Sequence, residues 1–225
     1  MIRAAAQKSG RTETAVQLVG VTKYAEVTDD CYDALFAAGI RDFGEARPQR
    51  LLEKAEALRN RNIRWHLIGS LQRNKARKII GVASLIHSID SVRLAEAIDR
   101  MVTEEIASEN LPPDTIVHAL LEVAISDDET KQGFAPSEMP EIIETISRCK
   151  NLRIDGLMGM SGLESSDAER RKQFALLRET AEKLRGAGVP ENIPLSELSM
   201  GMSDDFTMAI EEGATIVRIG SRLYV

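Results

Sequence analysis

Eight short apolar runs, rich in β-branched residues, alternate with amphipathic stretches along the chain, and this alternation restricts the fold more than any other feature. The runs are Gln17 to Thr22, Arg41 to Gly44, Arg64 to Ile68, Leu85 to Ile89, Ile116 to Val123, Arg153 to Met158, Leu195 to Ser199 and Thr215 to Ile219. Between them the sequence predicts helices over Asp29 to Ala38, Pro48 to Arg59, Asn74 to Ile80, Val92 to Ala107, Ser137 to Cys149, Asp167 to Arg185 and Asp204 to Glu212. Strands joined through helices return in parallel, so the pattern means a parallel sheet covered by helices. Eight repeats without a low-complexity linker favour closure into a single (β/α)8 TIM barrel over an open sheet, and 225 residues is the size of one such unit. Thr28 and Asp29 read as caps of the first of these helices, Gly39 as its stop, and Gly186 and Gly188 as the end of the long one. Within the single domain, residues 1–12 are expected to carry an extra helix outside the barrel.

Charge and composition remove several function classes. A net charge of -6 argues against nucleic acid, whose binding needs a basic surface that releases counterions. The cluster Arg73, Lys75, Arg77 and Lys78 reads as a solvated helical stripe. No stretch approaches the roughly 18 to 20 apolar residues of a membrane span, and Met1 to Ala6 lacks a signal-peptide core, so a cytoplasmic protein without membrane contact is expected. Cys31 and Cys149 lack metal-ligand spacing and only three histidines accompany them, so no metal is expected and both cysteines read as free thiols of a reducing compartment. The small single domain is expected to be a monomer.

In such barrels reactive groups sit at the C-terminal ends of the strands and in the loops that follow. That rule singles out Lys23, Glu45, Gly69 to Lys75, Ser88, Asp90, Ser126, Met160, Ser161, Ser199 to Ser203 and Gly220 to Arg222. The last two segments follow strands seven and eight, where barrels most often build a phosphate site. Ser199-Met200-Gly201-Met202-Ser203 and Arg218-Ile219-Gly220-Ser221 carry the small residues that let main-chain N–H groups approach an anion. Ser203 is placed to cap the helix opened by Asp204 and Asp205. A glycine turn before a capped helix accounts for the first segment without a ligand, and first-turn acids repel a dianion; the pairing of two such turns is what favours a phosphate. Lys23 alone reads as a solvated loop residue. On one rim with both turns and near Arg218, its amine becomes a nucleophile suited to capturing an aldehyde, and an aldehyde that carries a phosphate points to pyridoxal 5'-phosphate.

Five segments together resemble one family: Val21-Thr22-Lys23, Phe43-Gly44-Glu45, Trp65-His66-Leu67-Ile68-Gly69-Ser70-Leu71-Gln72-Arg73-Asn74-Lys75, Ser199-Met200-Gly201-Met202-Ser203-Asp204-Asp205 and Val217-Arg218-Ile219-Gly220-Ser221. From about Gly10 onward the chain is similar to the YggS/PROSC family of pyridoxal-phosphate homeostasis proteins. The resemblance implies an alanine racemase N-terminal domain-like barrel without the β-rich second domain of racemases. It implies pyridoxal phosphate held as an internal aldimine on Lys23, its phosphate on Ser199, Met200, Gly201, Ser203, Gly220 and Ser221. Arg218 would face the pyridine nitrogen, with His66 and Asn74 supporting the cofactor. The function implied is binding and homeostasis without robust turnover, with cofactor-requiring apo-enzymes as partners. The chain departs from the family where Ala46 replaces the usual asparagine after Glu45, which puts one polar contact at the mouth in doubt.

A guanidinium beside the ring nitrogen discourages its protonation and makes the ring a poorer electron sink, which disfavours transamination. The alternative is a racemase of weak or narrow activity, with Lys23 as one base and His66 or a water as the other, since Tyr24, Tyr32 and Tyr224 are not obviously placed for that role. A sugar-phosphate aldolase or isomerase shares the barrel but leaves Arg218 unexplained.

Overall fold

The computed structural model describes residues 1–23, 25–26, 31–126 and 132–223. In it β1 (Gln17–Val21), β2 (Asp42–Glu45), β3 (Arg64–Leu67), β4 (Leu85–Ile89), β5 (Val117–Glu122), β6 (Leu152–Met158), β7 (Glu197–Ser199) and β8 (Ile216–Ile219) pair in sequence order. β8 returns in parallel to β1 and closes the barrel expected from the alternation. Around it lie α2 (Cys31–Ala37), α3 (Pro48–Ala57), α4 (Arg73–Ile79), α5 (Val92–Ala107), α6 (Met139–Ile146), α7 (Asp167–Ala187) and α8 (Phe206–Glu211). Ahead of β1, α1 (Ile2–Lys8) packs on α8, where Lys8 pairs with Glu211 at 2.8 Å. The Arg11 guanidinium donates to the carbonyl oxygens of Ile210, Gly213 and Ala214, supplying a cation where α8 leaves its last acceptors open.

Several boundaries differ from expectation for local reasons. Strand seven loses Leu195 because that residue sits at φ 50°, outside extended geometry. Gly186 lies inside α7, which ends only at Gly188 with φ 90°. The same helix starts on a reciprocal box, the Ser166 hydroxyl accepting the Glu169 N–H while the Glu169 carboxylate accepts from Ser166. The expected caps Thr28 and Asp29 lie outside the described residues. No helix among the described residues is long and apolar enough to cross a membrane.

Two-residue periodicity sorts each strand into a face toward the barrel axis and a face toward the helices. The axis holds a small apolar cluster of Val19, Leu85, Leu120, Met158 and Ile216. The larger core fills the layer between sheet and helices; there Phe43 of β2 meets Tyr32 and Phe36 of α2 and Trp65 of β3, with ring centroids 5.6, 5.4 and 6.1 Å apart. Burying each such side chain contributes about 1.5 to 3 kcal/mol. One ion pair is enclosed with them. Lys54 of α3 and Glu45 at the end of β2 meet at 2.6 Å, each with only 1% of its side chain exposed. Lys54 also donates to the Thr22 carbonyl at 2.6 Å, and the second Glu45 oxygen accepts the N–H groups of Ala46 and Arg47 at 2.8 and 3.3 Å. This pair therefore fastens the end of β1, one residue before Lys23, to the end of β2.

Candidate functional site

The β1 to β8 register sets Gly20 beside Ile219, so the turns after both strands emerge together. Lys23 lies in the turn after β1 with its side chain exposed, so the chain itself does not bury this amine. The turns after β7 and β8 are tied directly, the Gly220 N–H donating to the Ser203 hydroxyl at 3.2 Å. Ser203 is thus not the helix cap expected from sequence. The N-cap of α8 is Asp205, whose carboxylate accepts the Met202 N–H and the Ser161 hydroxyl, both at 2.6 Å. Asp205 is buried in these contacts, and only Asp204 of the two acids is exposed.

Gly201 holds the first turn at φ 91°, and a Cβ there would stand 2.5 Å from the Ala209 Cβ and 2.9 Å from the Phe206 Cα. Gly201→Ala is expected to cost about 2 kcal/mol or more, from backbone strain and collision with the first turn of α8. Urea unfolding measures it, and a cost below about 0.5 kcal/mol would show that the turn can open elsewhere. Among the described residues the N–H groups of Gly201, Ser203, Asp204 and Ser221 make no hydrogen bond to the protein. With the Lys23 amine on the same rim, these donors fit a ligand that carries both a phosphate and an aldehyde.

Beneath the rim, Arg218 projects from β8 into the barrel and is 4% exposed. Its terminal nitrogens donate to the Ser199 carbonyl at 2.8 Å, the Ser199 hydroxyl at 2.6 Å and the Gly159 carbonyl at 3.2 Å. No protein partner among the described residues takes its Nε–H. Burial pulls the guanidinium down to about 10 against the opposing pull of Glu122 and Asp205, so it remains cationic at neutral pH.

The expected site residues fall into two groups. Lys23, Gly201, Ser203, Gly220 and Ser221 share the rim. Ser199 instead faces the axis and serves Arg218, while Met200 is fully buried and its N–H donates to the Ile216 carbonyl at 3.1 Å, so neither presents a spare donor from these groups to an anion. Asn74 is exposed on α4 and lines, with Ser70, Arg73 and Asp90, a shallow cavity of about 680 Å³ on another part of the rim. His66 lies lower in the barrel with both ring nitrogens engaged, Nδ1 with His87 Nε2 at 2.9 Å and Nε2 with Asp42 at 3.1 Å. Ala46 leaves no polar side chain beside Glu45, but its backbone packs so closely on Gly69 that any side chain at 69 would meet the Ala46 carbonyl at 2.2 Å.

Sequence reasoning missed His87, Asp42 and Lys54. Strand parity was the available signal for His87: it stands two residues after the axis-facing Leu85, a position where a polar ring needs buried partners. Asp42 is paired with Arg64 as well as His66. Burial raises its carboxyl, but the hydrogen bonds from His66 and Arg64 outweigh this and hold it at about 2 instead of 3.8. A depressed carboxyl stabilises the fold above its unfolded value and loses that contribution as pH falls through the folded one. About 2 kcal/mol should therefore disappear between about pH 4 and 2. Acid titration monitored by circular dichroism should show a gentler loss in Asp42→Asn over that window, and equal acid limbs would refute the assignment.

Comparison with known proteins decides the relationship. The profile of the family described as alanine racemase, N-terminal domain, matches residues 2–225. A protein of Aquifex aeolicus (strain VF5) named pyridoxal phosphate homeostasis protein is 36% identical, across 99% of this chain and 92% of its own. The chain belongs to the pyridoxal phosphate homeostasis protein family. Among solved structures, PipY of Synechococcus elongatus PCC7942 with PLP bound superposes with a TM-score of 0.83 at 32% identity, covering 100% of both chains. An alanine racemase of Clostridium difficile 630 shares the fold alone, with a TM-score of 0.73 at 16% identity, covering 99% of this chain and 56% of the racemase.

Proposed function

We propose that this member of the family binds pyridoxal 5'-phosphate on Lys23 and takes part in its homeostasis by holding and releasing it, without robust turnover. The observation that carries the reading is the rim itself: two turns joined through Ser203 and Gly220, their uncommitted N–H groups, and Lys23 on the adjoining strand end. The cofactor supplies an aldehyde that condenses reversibly with an amine, releasing water, and a phosphate that needs main-chain donors. Gly201, Ser203, Gly220 and Ser221 form the phosphate turns, and Arg218 stands below them with its Nε–H available to a ring nitrogen. A cation at that nitrogen keeps it unprotonated, which supports carriage over chemistry. His66 is poorly suited to act as the second base of a racemase, because it lies toward the floor of the barrel with Asp42 and Arg64, away from the rim that carries Lys23. Release to cofactor-requiring apo-enzymes from a cytoplasmic monomer completes the proposal.

The chain saturated with pyridoxal 5'-phosphate and reduced with borohydride should gain the pyridoxyl-phosphate mass on the peptide that contains Lys23. An unmodified Lys23 in a saturated sample would overturn the reading. Cα deuterium exchange across a panel of amino acids should stay far below catalytic rates; exchange that Lys23→Ala abolishes would reinstate the racemase.

A further inference from the structure

A continuous line of hydrogen bonds crosses the barrel from its floor to Arg218. Asp42 accepts from His66 Nε2 at 3.1 Å, His66 Nδ1 meets His87 Nε2 at 2.9 Å, and His87 Nδ1 meets the Ser199 hydroxyl at 2.9 Å. The same hydroxyl accepts from Arg218 at 2.6 Å. His66, His87 and Ser199 are at most 2% exposed, so their polar atoms rely mainly on one another for hydrogen bonds.

Donor and acceptor counting leaves two arrangements. The Asp42 carboxylate requires a hydrogen on His66 Nε2. With His66 neutral, its Nδ1 is an acceptor. His87 then donates through Nε2, Ser199 donates its hydroxyl to His87 Nδ1, and every bond runs from Arg218 toward Asp42. With one further proton from solvent, His66 becomes an imidazolium and donates through Nδ1. His87 must then carry its single hydrogen on Nδ1 and donate to Ser199, whose own hydrogen turns away. One proton reverses the line from His66 to Ser199.

We infer that His66, His87 and Ser199 form a reversible line that reports a proton held on His66 to Arg218, making His66 and His87 positioning residues for the guanidinium. This rests on the pyridoxal-phosphate reading for its consequence but not for the line itself. In the neutral arrangement Ser199 donates onward, which strengthens it as acceptor for Arg218; in the protonated one it accepts twice. His87 stays neutral in both, held well below the ordinary histidine value by burial first, then by His66 and Arg218. Of the two rings, His66 is the one that faces the Asp42 carboxylate, with Arg64 on the far side of that carboxylate. The other titratable groups around the line are His118, Asp155 and Glu197 in the floor cavity of about 340 Å³, and Glu122 and Asp205 near the guanidinium.

Two measurements test it. In the cofactor-free chain, nitrogen-15 spectra of the imidazoles between about pH 5 and 8 should show His87 changing its protonated nitrogen in step with proton uptake by His66. A His87 tautomer that stays fixed while His66 titrates, or a His66 that takes up no proton, overturns the line. In the second, pyridoxal 5'-phosphate affinity across that range should weaken toward acid about fivefold more in the native chain than in His66→Gln, whose amide cannot take the proton. Matching profiles overturn the coupling to Arg218. A chain that binds no pyridoxal phosphate at any pH refutes the cofactor reading and the coupling, while the imidazole spectra still decide the line.

Discussion

Lys23→Ala should abolish borohydride-stable labelling by pyridoxal 5'-phosphate and weaken binding roughly a hundredfold, or about 3 kcal/mol, while leaving the fold intact. The effect is large because the other rim groups can hold the phosphate and ring, but none replaces an amine in the turn after β1. Stability should change by no more than about 0.5 kcal/mol, because the lysine side chain is exposed. Mass spectrometry after reduction, with urea unfolding as control, separates the outcomes. Undiminished labelling at another lysine would move the carrying residue away from the β1 turn.

Lys54→Met should damage stability strongly, costing about 3 to 5 kcal/mol. It would leave the Glu45 carboxylate buried without its cation and the Thr22 carbonyl without its donor. Replacing both charged partners, as in Glu45→Gln with Lys54→Met, should recover much of that loss, since a buried pair is costly mainly when halved. Urea midpoints for the single and double variants provide the measurement. A loss in the double variant equal to the single one would mean that Glu45 is not what Lys54 sustains. Wherever the single variant remains folded, labelling of Lys23 should also fall, because the pair fastens the strand end that presents it.

The barrel was legible because its signal is repeated. Eight apolar runs with helical spacers have few ways to bury both faces of a sheet, and errors at individual ends do not alter that solution. Leu195 and Gly186 show what such a pattern cannot resolve: a left-handed residue shortens a strand, and a helix runs through a glycine to the next one. The rim was legible in outline, because strand order places the turns after β1, β7 and β8 together. Their internal bonding was not. Ser203 reads as a cap beside Asp204 and Asp205, yet its hydroxyl accepts from Gly220, which is close only after the barrel closes.

The sequence by itself determined the strand and helix order, the closure of the sheet and the strand ends that carry Lys23, Ser203 and Gly220, because those follow from periodicity and local chain stiffness. Only the tertiary structure decided the duties of the buried polar residues. Asp42, His66, His87, Ser199 and Arg218 come from five strands spread over most of the chain, and their hydrogen bonds form only when the barrel places them on one axis. Away from water each must satisfy its donors and acceptors with the others, so the role of each depends on partners that are distant in sequence.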